Sequence, residues 1–332
     1  MGTKKTSIGG QALIEGIMMK GPYKTTMAVR KTDGSIDLSE VKETHLKDKY
    51  KFFGLPLIRG TVNLIESMII GYKTMMKSAD ISGFTDLEED KDTDNAELSE
   101  QEVKTTHSQE DKEKKDSLLT NVVMIVGSVL GVALAVLLFM YLPSLIYKGI
   151  EYISSASLKY YKGLIEGVVK IALFIGYIAI VALEKDIKRV FMYHGAEHKT
   201  IFCYENGCDL TVENVRKFKR FHPRCGTSFM FLMLAVGILI SSVLVIVLPD
   251  FIIERNYLWV PIKILLLPLT CGVGYEIIKI CGRHDNVFTR VIAAPGLWIQ
   301  RLTTKEPDDS MIEIAIAALS DVVPTDGADE IK

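Results

Sequence analysis

The 332-residue sequence predicts a mostly α-helical, polytopic membrane protein: about four spanning helices, one amphipathic helix and a small β-rich N-terminal unit. Three observations predict it. Apolar residues gather in four blocks, near 119–147, 163–183, 226–248 and 258–280, which approach the roughly 20 residues a helix needs to cross a bilayer. Lys and Arg crowd into certain connections instead of spreading along the chain. The first fifty residues alternate short apolar runs with glycine turns.

Residues 1–50 read as the β-rich unit. In "MAVRKTDGSIDLSEV" two short runs pair across Asp33-Gly34, a hairpin signal. The preceding "SIGGQALIEGIMMKGP" reads as strand with bulges. A phosphate loop is the weaker reading, because no Gly-Lys-Ser/Thr follows. Over 51–80, Arg59, Asn63, Glu66, Lys73 and Lys77 recur as one polar stripe on an otherwise apolar helix. Such a helix either lies in the plane of the interface or packs among the spans with its stripe lining a polar site. Residues 81–117 form an acidic linker, with 13 Asp or Glu against 5 Lys over 86–116. Taking that segment's −8 from the chain's −2 leaves +6 for the remainder.

The membrane domain is predicted over 118–282. Its first and third spans carry no charge, whereas the second holds Glu166 and Lys170, and the fourth Lys263, Glu276 and Lys279. Charges at such depth must face other helices or the interface. The 184–225 connection holds nine Lys and Arg, and the loop after the third span only Arg255. Both termini and the 184–225 loop are therefore expected to be cytoplasmic. "MGTKKTSIGG" has no apolar core of the secretory type, so insertion is expected to begin with the first apolar block. Of the five cysteines, Cys203, Cys208, Cys225 and Cys281, in or near a reducing compartment, are expected as thiols, and Cys271 as a small packing residue inside the fourth span. Residues 283–332 read as a cytoplasmic segment: a loop with an aromatic anchor at Trp298, then a helix starting at Pro307-Asp308-Asp309.

The chemistry concentrates in "YHGAEHKTIFCYE". No proline separates it from the second span, so one helix is expected to run on into the cytoplasm. On that helix His194 and His198 share a face, with Glu197 one turn from His194. Two imidazoles at that spacing chelate a divalent ion, and the H-x-x-E-H string is the inverted zinc-protease pattern, with Glu197 as general base. His222 and Cys225 in "FHPRCGTSF", and His284 in "GRHDN", are further donors for Zn²⁺ or a similar ion. The alternative is a set of interfacial histidines bonded to carbonyls or lipid headgroups.

The blocks "GGQALIEGIMMKGP", "FFGLPLIRG", "YHGAEHKTIFCYE", "FHPRCGTSF", "GRHDN" and "APGLWIQRLTTKEPDD" together resemble the YqhQ family, from about Ser7 to Leu319. The resemblance implies a bacterial plasma-membrane protein of multi-pass type, from a group of unknown function often labelled as metal-dependent enzymes. Three functions follow. One is a metal-dependent hydrolase at the cytoplasmic face. Another is a scaffold or membrane-protein biogenesis factor, partnered by translocation machinery and stapled by a closed four-ligand site. In that case the basic 184–225 segment would meet anionic lipid or ribosomal RNA, although nucleic acid is not expected as a specific ligand. The third is a small-solute transporter using Glu166, Lys170, Lys263 and Glu276; four spans and no internal repeat place it last.

Overall fold

The computed structural model describes residues 5–43, 45–84, 126–155, 157–283 and 286–331. Residues 85–117 of the acidic linker, 119–125 of the first predicted span and His284 lie outside the described residues. The chain divides into two compact units. One comprises Met1–Glu88, Ile175–Ile240 and Leu265–Lys332; the other comprises Glu89–Phe174 and Ser241–Ile264. The longer helices are α1 (Ile58–Ile81), α2 (Val126–Ser154), α3 (Lys162–Val181), α4 (Lys185–Glu205), α5 (Gly226–Val247), α6 (Asn256–Leu265), α7 (Leu267–Arg283), α8 (Val287–Thr303) and α9 (Asp309–Val322).

In the first unit, β1 (Gly9–Leu13), β2 (Gly16–Lys20), β3 (Thr25–Arg30) and β4 (Ile36–Glu40) form an antiparallel sheet in chain order. Period-two alternation sends Ile17, Met19 and Ala28 to one face, where they meet α4 and α9, and Met18, Met27 and Val29 to the other, against α1. The sheet is thus a middle layer, which explains why its strands are apolar on both faces. The β3–β4 turn places Gly34 at φ +84°, a left-handed position that glycine adopts without strain, as the Asp33-Gly34 signal predicts.

Helix α1 lays Ile70, Met75 and Ile81 on the sheet. Its polar stripe holds neighbours: Glu66 accepts from the Leu46 N–H at 2.7 Å and meets His45 Nδ1 at 3.0 Å. Arg59 forks onto Glu276 of α7, and Asn63 donates to Tyr275. Glu276 is therefore held by Arg59. Helices α1 and α7 touch at glycine, since a Cβ on Gly60 would lie 2.6 Å from the Tyr275 Cβ.

Among the described residues three helices are long and apolar enough to cross a membrane: Val126–Ser154, Lys159–Val181 and Gly226–Val247. A fourth crossing exists if Asn256–Leu265 and Leu267–Cys281 count as one bent span. The unbroken helix expected over 258–280 is interrupted at Leu266, because Pro268 offers no N–H to the Ile264 carbonyl. Within α2 a π-helical turn, Leu137–Tyr141, stands two residues before Pro143, which has no N–H to give to the helix.

Two further expectations are corrected. The helix after the second span does not run on: α3 closes with three-residue hydrogen bonds from Leu183 and Glu184, Glu184 is extended, and α4 starts afresh at Lys185. The segment around Trp298 is a helix, α8, not a loop. Pro295-Gly296 disguises it, yet Asn286 caps it with a reciprocal Thr289 bond.

In the second unit, Glu166 of α3 accepts from Ser144 Oγ (2.6 Å), Trp259 Nε1 (3.0 Å) and Lys263 Nζ (2.8 Å), all four residues being buried. Gly163 makes room for this closeness, because a Cβ there would lie 2.7 Å from the Ser242 N and Oγ of α5.

Candidate metal centre

Helix α4 carries the H-G-A-E-H stretch with its second half buried between the sheet and α9. The 3.6-residue repeat brings the His194 and His198 rings to a centroid distance of 4.4 Å. Gly195 between them is required by packing, because a Cβ there would run into the Lys305 carbonyl. That approach lays the 303–307 strand of chain against α4, with the Lys305 N–H on the Phe191 carbonyl at 2.8 Å.

The same strand fixes one imidazole. His194 Nδ1 lies 2.8 Å from the Thr303 carbonyl, and His198 Nδ1 lies 2.5 Å from the Arg220 carbonyl. A carbonyl only accepts, so each Nδ1 carries a hydrogen, and in the neutral ring that tautomer presents a lone pair at Nε2. Backbone carbonyls on the far nitrogen are the usual support of metal-bound histidine. Buried Cys225 places Sγ 3.1 Å from His194 Nε2, and one ligand atom from each of His194, His198 and Cys225 fits within 4.8 Å of the others.

His222 does not join them. Its ring stands 5.6 Å from that of His198, but its Nε2 faces Glu205 at 3.4 Å and its Nδ1 accepts from the Arg224 N–H. Burial holds the His222 imidazole below its usual pKa, against the opposing bond to Glu205. Burial alone would raise the Glu205 carboxyl, but the His222 bond, the Arg224 charge and the Thr6 N–H together hold it below the usual range. His222 is therefore a neutral structural residue of the turn that delivers Cys225. Gln300 of α8 clamps that turn, accepting from the His222 N–H and donating to its carbonyl, both at 2.8 Å.

Glu197 lies beside the group. Its Oε1 accepts from the Gly10 N–H at 3.0 Å, and its buried Oε2 has no hydrogen-bond partner. Full burial raises its pKa, despite His194 and the Gly10 bond acting the other way. Gly10 is needed for this approach, since a Cβ would sit 3.1 Å from the Glu197 carboxyl carbon. Glu197 and His194 line a cleft of about 620 Å³ together with Gln11, Met68, Tyr72 and Met230. Sequence reasoning missed the supporting set of Gly10, Gly195, Gln300 and Thr303. The glycines in "GGQ" and "HGAEH" were the available signal.

A mostly helical protein with span-length helices, an N-terminal four-stranded sheet and a His₂Cys group beside a cleft is the class these features define. The chain belongs to the DUF1385 family, described as a protein of unknown function, which matches residues 55–325. It is similar to the uncharacterized protein YqhQ of Bacillus subtilis (strain 168), at 31% identity over 325 residues, covering 97% of this chain and 94% of that protein. No solved structure matches the chain.

Proposed function

We propose that this is an integral membrane protein whose His194, His198 and Cys225 hold a divalent ion of the zinc type, and that the site is hydrolytic. The observation that carries the reading is the unpartnered Oε2 of buried Glu197, next to three convergent donors and a cleft. The donor set suits the ion: two neutral imidazoles and one thiolate are zinc-type ligands, and three protein ligands leave a fourth position for reactants. When bound, the ion supplies Lewis acidity, polarising a carbonyl and making water acidic enough to attack near neutral pH.

The chain does the rest. The Thr303 and Arg220 carbonyls keep both imidazoles in one tautomer and orientation. The Gly10 N–H anchors one oxygen of Glu197. The other oxygen takes the proton of attacking water and passes it to the leaving group. A closed structural site needs a fourth protein ligand. Among the described residues His222 is the nearest histidine, and Glu205 and the Arg224 N–H occupy both its nitrogens.

The Lys and Arg asymmetry supports a cytoplasmic orientation for this site. Five of the nine cations in 184–225 hold carboxylates: Arg189 on Glu15, Lys199 and Arg220 on Glu306, Arg216 on Asp309 and Arg224 on Glu205. Their use is therefore in large part internal, which favours this reading over a basic surface for RNA.

Metal analysis of detergent-purified protein, with cobalt substitution to count ligands, tests the proposal. His198→Ala and Cys225→Ser should each lose the ion, while Glu197→Gln should keep it and lose hydrolysis. A metal-free wild type, or a fully active Glu197→Gln variant, would refute it.

A further inference from the structure

The cleft has a direction. Its walls include Met68 and Tyr72 of α1, which are 65% and 55% exposed, and Met230 of α5, which is 41% exposed. Helix α5 has span length and begins at Gly226, one residue after Cys225. Gly226, Thr227 and Met230, its first turns, are themselves cleft wall. The site thus stands at the mouth of an apolar helix long enough to cross a bilayer.

Helix α8 supports the same level. Val287, Phe288, Val291 and Trp298 are exposed, while Thr289, Gly296, Gln300 and Thr303 on the opposite face are buried. An exposed apolar stripe with a tryptophan, flanked by Arg290 and Arg301, is the pattern of a helix lying in the bilayer interface. The buried face of that helix carries the Gln300 and Thr303 groups that hold the site.

The lining also has a chemistry. Among the described residues that line the cleft there is no Lys or Arg. Phosphate-rich headgroups are normally gripped by such cations. A thiolate ligand would also cancel half the charge of a divalent ion. On the hydrolase reading above, we propose that the substrate is a lipid ester or amide without a phosphate head, entering the cleft sideways from the bilayer. Its acyl chain lies against Met68, Tyr72 and Met230, and its carbonyl reaches His194 and Glu197. One water is consumed. Its oxygen forms the new bond to the acyl carbon and the carbon–oxygen or carbon–nitrogen bond breaks. Glu197 carries the water's proton to the departing alcohol or amine.

The test uses the full chain reconstituted in phosphatidylcholine vesicles with a diacylglycerol bearing a terminal acyl diazirine. Photolabel mapped by mass spectrometry is expected on the peptides holding Met68–Tyr72 and Met230. Met230→Trp, and independently Met68→Trp, should cut that label about tenfold by filling the cleft. Val243→Trp, on the exposed side of the same span, should leave it unchanged. Metal-free His198→Ala should still label, so the lipid site and the metal chemistry are read separately. Label spread evenly along α5 would overturn the inference, and so would stronger competition by a polyprenyl diphosphate than by diacylglycerol. Cleavage of a transmembrane peptide with no lipid label in the cleft would overturn it as well. Cleft label without hydrolysis of any lipid ester or amide by metal-loaded protein would keep the lipid site and remove the hydrolase reading.

Discussion

Two of the buried polar clusters among the described residues, those around Glu166 and Glu197, are finished differently. Around Glu166, the carboxylate accepts from Ser144, Trp259 and Lys263, and Lys263 also donates to Ser144. Around Glu197, one carboxyl oxygen has no partner, His194 Nε2 meets the Cys225 thiol, and one ring nitrogen of His198 lies within 4.8 Å of both. A satisfied buried network holds helices together, whereas an unsatisfied one is a place where a further group belongs. The first reads as glue between helices, and the second as a site. The comparison also counts against the transporter reading, because Glu166 and Lys263 are committed to each other.

The largest effect should come from breaking the finished cluster. Lys263→Met leaves Glu166 buried without its cation and should lower stability by about 3–5 kcal/mol, read as thermal unfolding in detergent. The double variant Glu166→Leu/Lys263→Met should recover most of that loss. If the single change is silent, the cluster is not structural and the contrast fails.

The support of the site ranks next. Gln300→Ala removes both bonds that clamp the turn before Cys225, and should weaken metal affinity about 10–100-fold, as loss of an outer-shell partner does. Competition against a chelator reads it. Unchanged affinity would show that Cys225 is placed by other means.

Glu205 offers a pH readout. Its folded pKa lies below the ordinary carboxylate value, so its contribution is present above about pH 4, the unfolded value, and is lost as pH falls through the folded one. Wild-type stability should drop on that acid limb, and Glu205→Gln should flatten the drop while lowering stability near neutral pH. An identical acid limb in the variant would assign the decline to other carboxylates.

The smallest effect is expected for Arg216 and Asp309, whose side chains are 58% and 55% exposed. Asp309→Asn should cost less than about 1 kcal/mol. A larger loss would mean that exposed pairs around α9 matter as much as buried ones.

What was legible in the sequence follows from range. The Asp33-Gly34 hairpin, three of the four apolar blocks and the start of α9 at Asp308 are written in neighbouring residues and recur in the structure, the fourth block being a bent pair of helices. His194 and His198 were legible because four residues make one helical turn. His222 was misleading for the complementary reason: its spacing to Cys225 is that of a ligand pair, and only the fold brings Glu205 to it. Helix α8 was hidden by Pro295-Gly296. Gly296 is there because Ser228 lies against it, a contact 68 positions away that no local pattern records.

The Thr303 carbonyl that orients His194 has a consequence for how the protein is made. Residues 194–225 leave the ribosome well before residue 303, and at about 5–20 residues per second the delay after Cys225 is roughly 4–16 s. During that interval α5 is already available for insertion, while the imidazole of His194 lacks its carbonyl. His194 is therefore aimed late, after α5 has been synthesised, and a chain released before Thr303 docks would carry that imidazole without the carbonyl that orients it.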